Sequence, residues 1–209
     1  MTGPSPRLAA GDLARLRDKT VLITGTAGFI GFAVADALLD AGVEVVGIDN
    51  LCAAYYPRVL KDARTAHLSR HEAYVFHGCD LCDDSAVAEV VARHRPGLVL
   101  HLAAHASVLP SFDAPIDYMR SNVLGTQSLL EAVRQAPWVE GLVYASTSSV
   151  YGRSKDGATP FHEDMPVDTP ISVYGASKIA NEAMMQAYAQ HYGLAVRSEE
   201  HTSELQSQR

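Results

Sequence analysis

A three-glycine loop constrains the fold of this chain more than any other feature. Gly25, Gly28 and Gly31 are each separated by two residues; they follow the β-rich run Thr20–Thr24 and open an apolar-periodic stretch. The first glycine permits a tight turn, the second lets backbone approach a pyrophosphate, and the third lets the helix pack on the strand. Free N–H groups at the helix start then face phosphate oxygens. The spacing predicts a dinucleotide site, although an ordinary strand–helix turn can also carry glycines.

Apolar runs alternate with helical patterns along the rest of the chain. Further strands are predicted at Val43–Ile48, Tyr74–Phe76, Leu98–Leu102 and Leu142–Ala145. Helices are predicted at Phe29–Asp40, Val59–Ser69, Ser85–His94, Ile116–Arg134 and Val173–Tyr192. Strands that are apolar throughout imply a parallel sheet covered on both faces. The predicted fold class is therefore α/β, a Rossmann-type doubly wound parallel sheet.

Charge and composition exclude several classes of partner. The 209 residues carry 17 Lys and Arg against 24 Asp and Glu, a net charge of −7, and contain no basic block. A nucleic-acid partner is therefore not expected. No apolar run approaches the roughly 20 residues of a membrane span, so no membrane association is expected. The 3 cysteines favour reduced thiols and a cytoplasmic location over a disulfide framework.

Both ends of the chain differ in composition from its middle. Residues 1–19 are rich in Pro, Gly and Ala, and we expect a flexible leader. Residues 197–207 read RSEEHTSELQS, which equals the in-frame translation of a common short-read sequencing adapter. We therefore expect residues 197–209 to be an adapter-derived tail and the native protein to continue beyond Val196. The dinucleotide-binding domain is predicted over residues 20–196.

Four further positions carry the predicted chemistry. Asp49 closes the second strand, where a carboxylate accepts hydrogen bonds from an adenosine ribose and repels a 2′-phosphate, so NAD is favoured over NADP. Tyr174 and Lys178 share one helix face. The ammonium and a positive nicotinamide ring would lower the tyrosine pKa from its usual 10, so that Tyr174 takes a proton from a substrate hydroxyl. Thr147, after the fifth strand, could relay that proton. Alone, each motif is also typical of a solvated helix or a Ser/Thr-rich loop.

A spacing that imitates a zinc site is also present. Cys79-x-x-Cys82 and His101-x-x-x-His105 are separated by a gap longer than is usual for that pattern, so no metal is predicted. The remaining histidines His67, His71 and His94 are expected at solvated helix positions.

Together these residues resemble the extended short-chain dehydrogenase/reductase family of nucleotide-sugar epimerases and dehydratases. The similarity runs from about Thr20 to Val196 and includes TGTAGFIG, GIDNL, GCDL, HLAA, SNVLGT, YASTSSVYG and YGASK in family order. Asp49–Leu51 with Tyr55–Tyr56, and then Val167–Tyr174, most resemble the UDP-glucuronate 4-epimerases.

The resemblance implies roles for individual residues. The NAD site would be formed by Gly25, Gly28, Phe29, Ile30, Gly31, Asp49, Asn50, Asp80, Leu81, Leu102, Ala103, Ala104, Tyr174 and Lys178. Thr147, Tyr174 and Lys178 would be catalytic, and Asn122 would support the catalytic helix. A homodimer through the helices near 116–134 and 173–192 is implied, as is a C-terminal substrate lobe that is missing from these 209 residues.

The residues after Thr147 favour one reaction of this family. Dehydratases carry an Asp-Glu pair there, whereas this chain has Ser148 and Ser149, which would bind substrate. The implied function is NAD-dependent 4-epimerisation of a UDP-sugar through a transient 4-keto intermediate, with the fragment itself inactive. Leu109 stands where the glucuronate branch usually has Arg, so a neutral hexose or a different uronate remains an alternative substrate. A dehydratase or reductase, and a non-catalytic NAD-binding module, remain alternative functions.

Overall fold

Six parallel strands form one sheet in the part of the chain that the structure describes. The computed structural model describes residues 15–54, 57–153, 160–167 and 169–199, so Tyr55, Tyr56 and the end segments 1–14 and 200–209 lie outside it. The strands are β1 (Thr20–Thr24), β2 (Glu44–Ile48), β3 (Tyr74–His77), β4 (Leu98–His101), β5 (Gly141–Ala145) and β6 (Val196–Glu199). Their order is β3-β2-β1-β4-β5-β6. The chain therefore reverses direction across the sheet between β1 and β4, and the predicted doubly wound fold is confirmed.

Helices cover both faces of the sheet. They are α1 (Phe29–Asp40), α2 (Arg58–Leu68), α3 (Asp84–His94), α4 (Pro110–Asp113), α5 (Pro115–Tyr118), α6 (Gly125–Arg134) and α7 (Val173–Tyr192). Val21 and Ile23 of β1 pack into one core with Leu38 of α1. Leu22, between them, packs into a second core with Leu129 of α6. Because successive side chains of a strand point to opposite faces, both faces need apolar residues, which explains the continuous apolar runs.

The predicted helix Ile116–Arg134 is helical over its whole length, but its hydrogen-bond pattern changes in the middle. A π-helical segment, Met119–Leu124, separates α5 from α6. The carbonyl oxygen of Asn122 within it accepts hydrogen bonds from the side chains of Asn181 and Thr126. Two side chains therefore form hydrogen bonds with a backbone carbonyl of this turn. Side chains that insert into the backbone hydrogen-bond ladder of a helix are a known cause of such distortions.

The sheet extends past the predicted domain boundary at residue 196. Val196–Glu199 pairs with Leu142–Ala145 of β5, so residues 197–199 continue the sheet. At the other end, Leu16 packs against the α1 core and Arg17 Nε donates to the carbonyl of Ala41 at 3.0 Å. Residues 15–19 of the expected leader are therefore attached to the domain. No helix in the described ranges is long and apolar enough to cross a membrane.

Candidate active site

The glycine loop lies between β1 and α1 at the carboxyl edge of the sheet. Gly25 has φ +80°, and a Cβ there would lie 2.9 Å from the Ala103 backbone. A Cβ on Gly31 would lie 2.1 Å from the Gly25 carbonyl oxygen. The Gly28 N–H donates to that same oxygen at 2.9 Å, and α1 begins at the next residue. Only glycines allow this close approach, which leaves the N-terminus of α1 facing the neighbouring cleft.

A cleft of about 320 Å³ opens where the strand order reverses. It is lined by nine of the predicted cofactor residues: Gly25, Gly28, Asp49, Asn50, Asp80, Leu81, Leu102, Ala103 and Ala104. Sequence reasoning missed other lining residues, namely Ile48, Cys52, Lys61, Cys79, His105, Ala106, Ser107, Pro110 and Ser121. Phe29, Ile30 and Gly31 form the first turn of α1 beside it. The position agrees with the rule that open α/β sheets bind ligands at this switch point.

Asp49 lies at the end of β2 with both carboxylate oxygens engaged. Oδ2 accepts from the Ala27 N–H at 3.1 Å, and Oδ1 accepts from the Leu51 N–H at 2.8 Å. Lys61 of α2 places Nζ 3.0 Å from Oδ1, and both side chains are largely buried. A buried carboxylate needs such a partner because desolvation of an unpaired charge is costly. Lys61 was not predicted as the partner of Asp49, because it lies 12 residues further along the chain and no local motif joins the two.

A hydrogen bond between Asn50 and Asp80 connects the segments that follow β2 and β3. Asn50 Nδ2 donates to Asp80 Oδ2 at 2.9 Å. Burial acts to raise the pKa of Asp80, but hydrogen bonds from the Cys82 N–H and Asn50 outweigh it and hold that pKa below its usual value. Asp80 therefore presents an ionised acceptor to the cleft at neutral pH.

Tyr174 and Lys178 lie on the buried face of the first two turns of α7. The helix begins after Ser172, whose Oγ accepts from the Gly175 N–H at 3.0 Å. Lys178 Nζ donates to the Ala145 carbonyl at the end of β5 at 2.7 Å. A Cβ on Gly175 would lie 2.7 Å from the Ser149 carbonyl oxygen, so this glycine lets α7 approach the segment after β5. The role of Gly175 was not predicted, although it sits inside the YGASK motif.

Burial dominates the acid–base properties of the pair. Burial raises the pKa of Tyr174, and a hydrogen bond with Thr147 only partly offsets this. Burial also lowers the pKa of Lys178 to about 7, against a smaller opposing effect of Glu182. In the chain without a dinucleotide, Lys178 is therefore not among the groups that shift the tyrosine pKa, and the expected lowering by the ammonium and the nicotinamide ring together stays a prediction. A neighbouring positive charge brought by a ligand would supply that lowering.

Thr147 meets Tyr174 from the end of β5. It is 2% exposed and caps the short 3-10 helix Ser148–Tyr151, with its Oγ1 accepting from the Ser149 N–H at 3.2 Å. Ser148 and Ser149 are half-buried in that turn. The structure thus brings together the three predicted catalytic side chains from β5 and α7, with the two predicted substrate residues next to them.

His101 shows why the zinc-like spacing forms no site. Its ring is 1% exposed and lies between two threonine hydroxyls, with Nδ1 2.7 Å from Thr24 Oγ1 and Nε2 2.8 Å from Thr126 Oγ1. Burial lowers its pKa to about 3, so the ring is neutral at physiological pH. Both ring nitrogens are occupied, so neither is available to a metal.

The predicted cofactor residues Tyr174 and Lys178 are not among the residues that line the cleft. A doubly wound sheet with a glycine-loop cleft and a buried Tyr-x-x-x-Lys pair against the end of β5 defines a protein of the short-chain dehydrogenase/reductase class. The family model described as GDP-mannose 4,6 dehydratase matches residues 22–209. The chain belongs to this family of NAD-dependent epimerases and dehydratases.

Several known proteins are similar to the chain. The UDP-glucuronate 4-epimerase of Thermodesulfobacterium geofontis is 41% identical over 84% of this chain and 53% of its own length. A UDP-glucose 4-epimerase structure from Thermus thermophilus, in complex with NAD, has a TM-score of 0.73 at 38% identity, covering 86% of this chain and 53% of that one. A UDP-glucuronic acid 4-epimerase structure from Bacillus cereus, with UDP-glucuronic acid and NAD, has a TM-score of 0.77 at 29% identity, with coverage of 86% and 55%. The chain spans about half the length of these relatives.

Proposed function

We propose that the intact gene product is an NAD-dependent nucleotide-sugar 4-epimerase. The observation that carries the proposal is that Thr147 meets Tyr174 while Lys178 binds the end of β5. These three residues do not line the glycine-loop cleft themselves, but β5 pairs with β4, and the residues after β4 do line it. The cleft suits NAD because its glycines leave room for a pyrophosphate and Asp49 stands at the ribose position. Relatives named as UDP-sugar 4-epimerases support this reaction.

The chain's own residues would handle the proton of the reaction. A dinucleotide held by the residues of this cleft would supply the hydride chemistry: the C4 hydride would leave, the 4-keto sugar would turn over, and the hydride would return to the opposite face of C4. Tyr174, as the phenolate, would remove the proton of the C4 hydroxyl group and later give it back. Thr147 Oγ1 would hold the C4 oxygen of the sugar by a hydrogen bond. The amine of Lys178 would stabilise the phenolate. Ser148 and Ser149 carry no carboxyl group to act as the acid and base of water elimination, which favours epimerisation over dehydration.

The sugar is proposed as a UDP-hexose or as the UDP-glucuronate/UDP-galacturonate pair. Leu109 is 76% exposed at the start of α4, at the position where the glucuronate branch has Arg. An apolar side chain supplies no partner for a uronate carboxylate there. Leu109 therefore favours a neutral hexose over a uronate as the substrate, whereas sequence similarity alone favours the uronate.

We also propose a cytoplasmic homodimer. Three apolar side chains, Ile116 of α5 and Met119 and Leu124 of the π-helical segment, are between 39% and 75% exposed, which supports an interface here. Cys52, Cys79 and Cys82 are free thiols, which supports a reducing compartment.

The decisive experiment starts from the gene. The gene is resequenced across the codon for Arg197, and the resulting protein is incubated with UDP-glucose and UDP-glucuronate while epimers are quantified by NMR. We expect C4 epimers to form, and we expect Tyr174→Phe to lose turnover by about 10²-fold or more with NAD still bound. The 209-residue chain should bind NAD without turnover. Unchanged turnover in Tyr174→Phe, or a 4-keto-6-deoxy product, would overturn the proposal.

A further inference from the structure

Three metal-ligating side chains converge outside the active-site cleft. Asp36 of α1, His67 in the last turn of α2 and His71 in the turn after α2 each offer a ligand atom, and these atoms all lie within 4.8 Å of one another. His67 Nε2 is 2.8 Å and His71 Nε2 3.8 Å from the same carboxylate oxygen, Oδ1 of Asp36. The two histidines are therefore not the independent solvated helix positions that their spacing suggested.

The cluster is held in place by the backbone and by the core beneath it. Leu68, between the histidines, is fully buried, and the His71 N–H donates to its carbonyl at 3.0 Å. The His71 carbonyl in turn accepts from the Tyr74 N–H at 3.1 Å as β3 begins. The Phe32 ring packs edge-on against the His67 ring with centroids 5.4 Å apart. All three ligand-bearing residues are partly buried, and each remains exposed enough for an ion to reach it from solvent.

The charges around the cluster also suit a cation. Within the described ranges the Asp36 carboxylate has the two imidazoles as its only ion-pair partners, with no lysine or arginine beside it. Two imidazole nitrogens and one carboxylate oxygen form a donor set that selects zinc-like transition ions over magnesium or calcium. Zinc bonds of about 2.0–2.1 Å in a tetrahedron separate ligand atoms by roughly 3.3 Å, which lies between the two measured separations.

We propose that Asp36, His67 and His71 bind a divalent transition-metal ion of the zinc type, with a water molecule completing the tetrahedron. No metal was predicted from the sequence, because the spacing that suggested a metal site was that of Cys79/Cys82 and His101/His105, whose gap is longer than usual. Asp36 lies 31 residues before His67, so no local motif joins them. A bound ion would connect α1 to the end of α2 and stabilise their packing.

The test is a zinc titration of the full 209-residue chain in competition with a chromophoric chelator. Cobalt substitution, read from visible absorption, reports the coordination geometry. We expect one zinc per chain, and about tenfold or greater loss of affinity in each of His67→Ala, His71→Ala and Asp36→Asn. His94→Ala is the matched control, because it removes one member of the other close histidine pair, His77 and His94, whose Nε2 atoms are 2.8 Å apart.

Each outcome decides the proposal. Loss of zinc in the three cluster variants, with binding retained in His94→Ala and in Cys79→Ser, supports it. Equal affinity in all variants, loss only in His94→Ala or Cys79→Ser, or no zinc binding by the wild type overturns it. Circular dichroism and NAD binding of each variant show whether the fold and cleft persist, so that unfolding is not mistaken for ligand loss.

Discussion

Asn122 Nδ2 lies 3.0 Å from Ser177 Oγ, and this buried hydrogen bond joins the π-helical segment to the helix that carries Tyr174 and Lys178. The same amide holds the loop after β4, since Oδ1 accepts from the His105 N–H at 2.8 Å and Nδ2 donates to the His105 carbonyl at 3.0 Å. One side chain thus connects a wall of the cleft to the catalytic helix. The resemblance had implied a supporting role for Asn122, and these contacts give it a physical form.

Replacing Asn122 with alanine should destabilise the protein by about 2–4 kcal/mol. The change removes the acceptor of the part-buried His105 N–H and the donor of the buried bond to Ser177 Oγ, and each such loss costs about 1–3 kcal/mol. Urea unfolding measures the loss. Ser128→Ala, which removes one exposed helix-surface hydrogen bond, is the control and should cost less than about 1 kcal/mol. Equal losses in the two variants would contradict the role given to Asn122.

Gly31→Ala should abolish NAD binding and destabilise the loop by about 1–3 kcal/mol. The new Cβ would lie 2.1 Å from the Gly25 carbonyl oxygen, a backbone atom that cannot move without displacing the glycine loop. Calorimetric titration with NAD measures the effect. Gly78→Ala serves as the control, because its Cβ would meet only Phe76 at an ordinary 3.6 Å. Normal NAD affinity in Gly31→Ala would count against the assignment of this loop.

Lys178 should impose a pH dependence on stability. Burial lowers its pKa to about 7, whereas an unfolded lysine titrates near 10.4. Between these pH values the unfolded chain binds a proton that the folded chain does not, so stability rises with pH by up to about 1.4 kcal/mol per unit. In Lys178→Met this contribution is absent. Urea unfolding at pH 7, 8 and 9 should show the wild type gaining on the variant, and parallel profiles would refute the buried neutral amine.

Leu109→Arg should shift substrate preference toward UDP-glucuronate. An exposed guanidinium at the start of α4 would offer a charge-assisted partner to the uronate carboxylate without burying a new charge. We expect kcat/KM for UDP-glucuronate over UDP-glucose to rise by about tenfold in the intact enzyme, the equivalent of one hydrogen bond to a charged group. Leu109→Gln is the uncharged control. The same rise in that control would show that charge is not the cause.

Local patterns in the sequence were sufficient for five of the six strands and for the doubly wound fold class, but not for β6, which lies across the expected boundary at residue 196. The run Thr20–Thr24, followed by Gly25, Gly28 and Gly31, specifies a strand, a tight turn and a helix within a dozen residues. Helix periodicity also placed Tyr174 and Lys178 on one face, because residues four apart are neighbours in any α-helix. Such features depend on contacts between residues that are close in the chain, so the sequence alone determines them.

Tertiary structure decided the properties that depend on distant residues. The burial that raises the Tyr174 pKa comes from elements packed around α7, and the partner of Asp49 is Lys61 on another helix. The cluster of Asp36 with His67 and His71 exists only because α1 and α2 pack side by side. Desolvation and charge pairing depend on three-dimensional proximity, which spacing along the chain does not encode. The sequence by itself therefore determined the fold and the chemical groups, and the tertiary structure decided their partners and protonation.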